Sequence, residues 1–213
     1  MIQDSLSHLT GWLKACCEDG EMPTIKLGTI DNPGWYLTVD LEKTNLANKK
    51  MDEVAHDFSG YDWLICWVRD KKFEAHGGVS NLETMLRIFK LWALDLDYTR
   101  PSVVPKSQFD TEDDFLWLIN WFYSQCNNDW EHGYGIEITT TENLTWIVRI
   151  ELTDTVLSEK KFMEVSKIKS SNDWIKCCVK NGKFEGAGGL DNLYEIFNVF
   201  RTWAKNYKLS DVI

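Results

Sequence analysis

Residues 63–78 read WLICWVRDKKFEAHGG and residues 174–189 read WIKCCVKNGKFEGAGG. The two stretches lie 111 positions apart and keep the same Trp, Cys, Val, Phe and Gly-Gly spacing. Extending the comparison without gaps from Thr29–Ala93 to Thr140–Ala204 matches roughly 25 of about 65 positions. Trp35, Leu82 and Trp92 recur there as Trp146, Leu193 and Trp203. Agreement at residues this rare and bulky marks an internal duplication, and a period this long fits paired domains better than a solenoid. Upstream, Leu9, Trp12 and Cys17 match Leu118, Trp121 and Cys126 at an offset of 109, so the first copy is two residues shorter there.

Each copy opens on an amphipathic helical pattern: Leu9, Trp12, Leu13 and Cys16, then Phe115, Leu118, Ile119 and Phe122. Asp113 and Asp114 suit the start of the second of these helices. Strands are expected at Ile25–Thr29 and Trp35–Leu41, and at Ile136–Thr140 and Trp146–Leu152, with alternating apolar and polar residues. Asp31-Asn32-Pro33-Gly34 supplies the turn between the first two. A second strand pair is expected at Trp63–Val68 with Lys72–Glu74, and at Trp174–Val179 with Lys183–Glu185 around Asn181-Gly182. A short extra strand is placed near Thr44–Leu46. Closing helices carry the stripes Leu82, Met85, Leu86, Phe89, Trp92 and Leu193, Ile196, Phe197, Phe200, Trp203, with Ser80 and Asp191 read as their caps.

The expected fold class is α+β: two tandem repeats, each a mainly antiparallel four- to five-stranded sheet with an N-terminal and a C-terminal helix. The expected division is a first repeat over residues 1–96, a linker over 97–108 containing Pro101 and Pro105, and a second repeat over 109–213.

A net charge of −10, shared by both copies, opposes nucleic-acid phosphates and anionic membrane surfaces. No apolar run long enough for a membrane span and no signal peptide are apparent, which predicts a cytoplasmic protein. The six cysteines include the adjacent pairs Cys16-Cys17 and Cys177-Cys178 and show no Cys-x-x-Cys spacing, so they read as buried thiols rather than disulfides or metal ligands. Gly186-Ala187-Gly188-Gly189 precedes a helix but lacks the Lys-Ser/Thr of a phosphate loop, and reads as a tight strand-to-helix turn. Trp12, Trp35, Trp63, Trp67, Trp92 and their counterparts read as core.

The densest polar and aromatic cluster is Gln125-Cys126-Asn127-Asn128-Asp129-Trp130-Glu131-His132-Gly133-Tyr134-Gly135. Glu131 and His132 could serve a hydrolytic or transfer enzyme, and Trp130 with Tyr134 could stack on a small molecule or nucleotide. Metal-ligand spacing is absent. Trp130, between two acids in an expected loop, is taken as partly exposed. The first copy lacks this element and reads Cys17-Glu18-Asp19-Gly20-Glu21-Met22-Pro23, while it alone keeps Asp31-Asn32-Pro33-Gly34-Trp35.

Together the string from Leu116 to Phe122, the cluster from Gln125 to Ile136, the Asp31–Trp35 segment with Asp40-Leu41, and Phe184-Glu185-Gly186-Ala187-Gly188 resemble the immunity protein 53 family. The resemblance covers both copies nearly end to end and implies a doubled relative of a usually single-domain family. It implies a role in bacterial polymorphic toxin systems: an immunity protein, not an enzyme, that binds and neutralises a cognate toxin without a cofactor. Acidic inhibitors suit basic toxins such as nucleases. The partner-binding residues expected on this reading are Asp129, Trp130, Glu131, His132 and Tyr134 in the second copy and Asp31, Asn32 and Trp35 in the first, joined as one composite surface of a monomeric pseudo-dimer.

Overall fold

Alternation of buried and exposed residues builds the same chain path twice in the computed structural model, which describes residues 5–20, 22–60, 62–99 and 112–207. The chain divides into two units, Met1–Lys106 and Ser107–Ile213. The expected linker at 97–108 lies, from residue 100 onward, outside the described residues.

In the first unit, helix α1 (Ser5–Glu18) is followed by strands β1 (Ile25–Ile30), β2 (Gly34–Asp40), β3 (Val54–Ser59), β4 (Asp62–Arg69) and β5 (Lys72–Gly78), then helix α2 (Leu82–Ala93). The strands form an antiparallel sheet in the order β3-β4-β5-β2-β1. In the second unit, α3 (Asp114–Gln125) and a single helical turn α4 (Trp130–Gly133) precede β6 (Ile136–Thr140), β7 (Thr145–Glu151), β8 (Val165–Ile168), β9 (Trp174–Lys180) and β10 (Lys183–Gly189). Helix α5 (Leu193–Lys205) closes the unit, and its sheet runs β8-β9-β10-β7-β6, again antiparallel. The α+β repeat is therefore as expected, with five strands in each copy.

The period-two pattern puts Trp35, Leu37, Val39, Phe73 and Ala75 on one sheet face, fully buried, where α2 packs. Phe73 meets Phe89 at 5.1 Å between ring centroids, and Phe184 meets Phe200 at 5.0 Å in the second unit. The shared tryptophans are tied by the same bonds in each copy. Trp35 Nε1 donates to Val79 O and Trp146 Nε1 to Leu190 O, both at 3.1 Å, while Trp92 and Trp203 donate to Lys50 O and Lys161 O at 3.0 Å. Each of these bonds gives a largely buried indole N–H its acceptor, and the acceptor occupies the same place in both copies.

Three local expectations are corrected. The strand expected near Thr44–Leu46 is a run of turns, because the Thr44 hydroxyl donates to Leu41 O at 2.9 Å and accepts from Leu46 N at 3.2 Å. The fifth strand comes later, at β3 and β8. Ser80 and Asp191 do not cap the closing helices: the N-cap residues are Asn81 and Asn192, neither with a capping side-chain bond. Their side-chain amides instead donate to Asp62 at 3.0 Å and Asp173 at 2.9 Å, tying each helix start to the head of β4 and to the residue just before β9. Gly186-Ala187-Gly188-Gly189 is ladder-paired strand within β10, not a turn. At Gly189 a Cβ would run into the Asn172 carbonyl, so close backbone approach explains the glycine. The expected cap at Asp113 is present, its side chain accepting from Leu116 N at 2.8 Å.

Candidate functional site

The polar cluster of the second copy is a knitted loop between α3 and β6. Asn127 Oδ1 accepts from the amides of Asp129 at 3.0 Å and Trp130 at 2.9 Å, and Asn128 takes a positive φ of 70°, which asparagine tolerates. Glu131 then closes the loop: Oε2 accepts from Asn127 N and Oε1 from Asn128 N, both at 2.9 Å. Both carboxylate oxygens are committed to the backbone, and the residue is only 4% exposed.

Burial alone would raise the Glu131 pKa, but backbone hydrogen bonds from its own amide and from Asn127 and Asn128, helped by His132, hold the carboxyl below the ordinary glutamate range. The nearby Cys126 thiol is pushed up to about 12 by burial and then by the Glu131 charge, so it is not a thiolate nucleophile at neutral pH. Tyr134 is also raised, first by desolvation and then by the carboxylate of Asp154, to which its hydroxyl donates, with Glu151 and Asp129 adding to it.

Trp130 is 3% exposed, which corrects the expectation that it stands partly in solvent. Its ring packs on Trp121 at 6.1 Å and Tyr134 at 5.9 Å, and its Nε1 donates to Thr153 O at 2.8 Å. Sequence position between two acids pointed outward; the helical turn rotates the indole inward instead. Trp35, 0% exposed, is likewise core. Trp130, Glu131 and Trp35 are thus buried in the unbound chain, and Trp130 presents no open ring face on which a ligand could stack.

Asp129 and His132 remain exposed on the second copy's loop, with Tyr134 half-buried beside them. In the first copy Asp31 and Asn32 are exposed at the tip of the β1–β2 hairpin, where Asp31 Oδ1 accepts from Asn32 N at 2.9 Å. Asn32 also borders a shallow depression of about 540 Å³ formed with His56, Asp57, Ser59 and Trp63. Within the repeat, the hairpin tip and the helix-to-strand loop stand at opposite ends of the sheet, since one follows the end of the first strand and the other precedes its start.

Trp67, expected from sequence to be core, is instead half-buried on the sheet face that carries no helix. On β4 and β5, Trp67 stacks on His76 with ring centroids 5.4 Å apart, and its Nε1 donates to Glu74 Oε2 at 2.8 Å. The available signal was that Trp67 has no tryptophan counterpart: Cys178 stands 111 residues on.

The sequence model of immunity protein 53 matches residues 6–94 and, a second time, residues 115–205. The chain belongs to the immunity protein 53 family. No curated protein and no solved structure matches it. Both family matches span an opening helix, a five-stranded sheet and a closing helix, so the duplication includes all of these elements. Among the described residues no helix is long and apolar enough to cross a membrane.

Proposed function

We propose that this immunity protein 53 member acts in the cytoplasm by binding a cognate toxin and covering its surface, rather than by transforming a substrate. The observation that carries this over a hydrolytic reading is the Glu131 carboxylate, whose two oxygens hold Asn127 and Asn128 amides inside a rigid loop. A general acid or base needs a free oxygen facing a substrate; here the group builds the loop that presents Asp129 and His132 outward. Preorganised loops favour slow release because little ordering entropy is lost on binding.

Asp129, His132 and Tyr134 in the second copy, and Asp31 and Asn32 in the first, are the contacts we assign to the toxin among the residues singled out by sequence. With a net charge of −10, the protein suits a basic toxin, a nuclease among them, through complementary fields that speed encounter. The chain would act as a monomer whose two copies stand in for a dimer.

The test is a pull-down of the purified chain against the product of the gene immediately upstream, followed by rescue of cells expressing that product. Co-purification with rescue supports the reading. Turnover of a metabolite that disappears in His132→Ala would replace it with an enzymatic one.

A further inference from the structure

The two copies part company on their helix-free sheet faces. In the first, that face is filled: Arg69 lies over the Trp67 ring at 5.4 Å and is held by Glu53 at 2.8 Å, and Trp67 in turn stacks on His76. The positions of Trp67 and His76 in the second copy are Cys178 and Ala187. With both rings replaced by small side chains, the face holds a depression of about 510 Å³ over Ile147, Cys178 and Ala187, bordered by the cations Arg149 and Lys176 and the carboxylates Glu164 and Glu185.

The neighbouring edge differs in the same sense. Among the described residues β3 and β8 each end their own unit's strand order, with no strand on the outer side. Exposed edges recruit other strands unless charge or shape blocks them. Asp52 precedes β3 and Asp57 lies within it, whereas their counterparts at β8 are Met163, 79% exposed, and Ile168, 68% exposed. Residues 160–169 carry four lysines against one glutamate, a local positive excess in a chain of net charge −10. Two of these lysines, Lys167 and Lys169, already hold carboxylates of Glu195 at 2.9 Å and Asp173 at 3.3 Å.

We infer that the outer edge of β8 is a strand-addition site for an extended segment of the toxin that carries carboxylates and one bulky apolar side chain. The segment pairs its backbone with β8, covers Met163 and Ile168, sets its carboxylates among the lysines, and places the apolar side chain in the adjoining depression. Main-chain pairing supplies affinity in this mode, and the pocket beside the edge supplies specificity. In the first copy Trp67 and His76 fill the corresponding position and the edge is acidic; its own depression lies toward the β3–β4 turn, by Asn32, Asp57 and Trp63. This inference rests on the toxin-binding reading and names how that binding is made.

The probe is the purified, catalytically inactivated product of the upstream gene, titrated calorimetrically against the full chain. Met163→Asp/Ile168→Asp, which restores the acids of the first copy, weakens Kd by about 100-fold, and Ala187→Trp, which fills the depression, by at least about 10-fold. Asp52→Met/Asp57→Ile in the first copy leaves Kd within about threefold of wild type. In the wild-type complex, the amides of β8 that face away from β9 gain hydrogen-exchange protection, a readout independent of any variant's folding. Tight wild-type binding without that protection, or with the β8 variant unaffected, overturns strand addition while leaving the toxin-binding reading intact. Absence of wild-type binding overturns both. Self-association abolished by Met163→Asp/Ile168→Asp identifies a second copy as the occupant and also overturns the proposal.

Discussion

The guanidinium of Arg201 on α5 donates to the carboxylate of Asp114 on α3 at 2.8 Å, joining residues 87 positions apart. A second bond from the same nitrogen reaches Glu112 O at 2.7 Å, and Arg201 is only 7% exposed. The opening and closing helices of the second copy are thus clamped by a buried charge, where the first copy has Lys90.

Removing one member of a buried ion pair leaves the other charge without compensation. Arg201→Ala is expected to destabilise the second unit by about 3–5 kcal/mol, and Arg201→Met, which keeps the packing volume, by less. Urea unfolding of both variants beside wild type checks the order. Equal stability of Arg201→Ala and wild type would show that the clamp contributes nothing.

Glu131 carries a pH signature. Its folded pKa lies below the ordinary glutamate value, so its contribution to stability is complete above that value and is lost as pH falls through the depressed folded pKa. Glu131→Gln, which does not titrate and can satisfy one backbone amide fewer, is expected to cost about 1–3 kcal/mol at pH 7. The gap between variant and wild type should narrow steadily as the pH is lowered through and below the ordinary glutamate range. Denaturation curves across that range decide it; a gap independent of pH would contradict the assigned role.

Trp130 should behave as a core indole. Acrylamide quenching of a variant in which Trp130 is the remaining tryptophan of its neighbourhood is expected to be weak. Trp130→Phe, which removes the bond to Thr153 O, should cost about 1–2 kcal/mol. Strong quenching would return the residue to the surface.

The helix starts give a paired test. Asp113→Ala removes a capping acceptor and is expected to cost about 1 kcal/mol, while Ser80→Ala, at a residue that does not cap α2, should cost less than about 0.5 kcal/mol. Thermal melts resolve the difference, and equal losses would restore Ser80 as a cap.

The repeat was legible because bulky residues at a constant interval have one economical explanation, and the strands were legible because Trp35, Leu37 and Val39 alternate with Tyr36, Thr38 and Asp40. The fifth strand was not. Val54 and Val165 sit in charged surroundings at a sheet edge, where only one neighbour and one face constrain the residue types, so periodicity is weak. Asn81 and Asn192 look like ordinary loop residues in sequence, because what they hold lies 19 residues away at the head of a strand.

For the candidate site, composition located the loop at residues 125–135, and local chemistry alone could not say which of its side chains face water. Sequence by itself determined that a single α+β unit occurs twice, that its core is aromatic, and that the family is immunity protein 53, since all three follow from residue identity and spacing. Tertiary structure decided that Trp130, Glu131 and Trp35 point inward and that Cys178 and Ala187 leave a depression beside an unguarded edge. Burial and emptiness depend on what the rest of the chain brings alongside, and that is set by strand register and helix packing rather than by any residue's immediate neighbours.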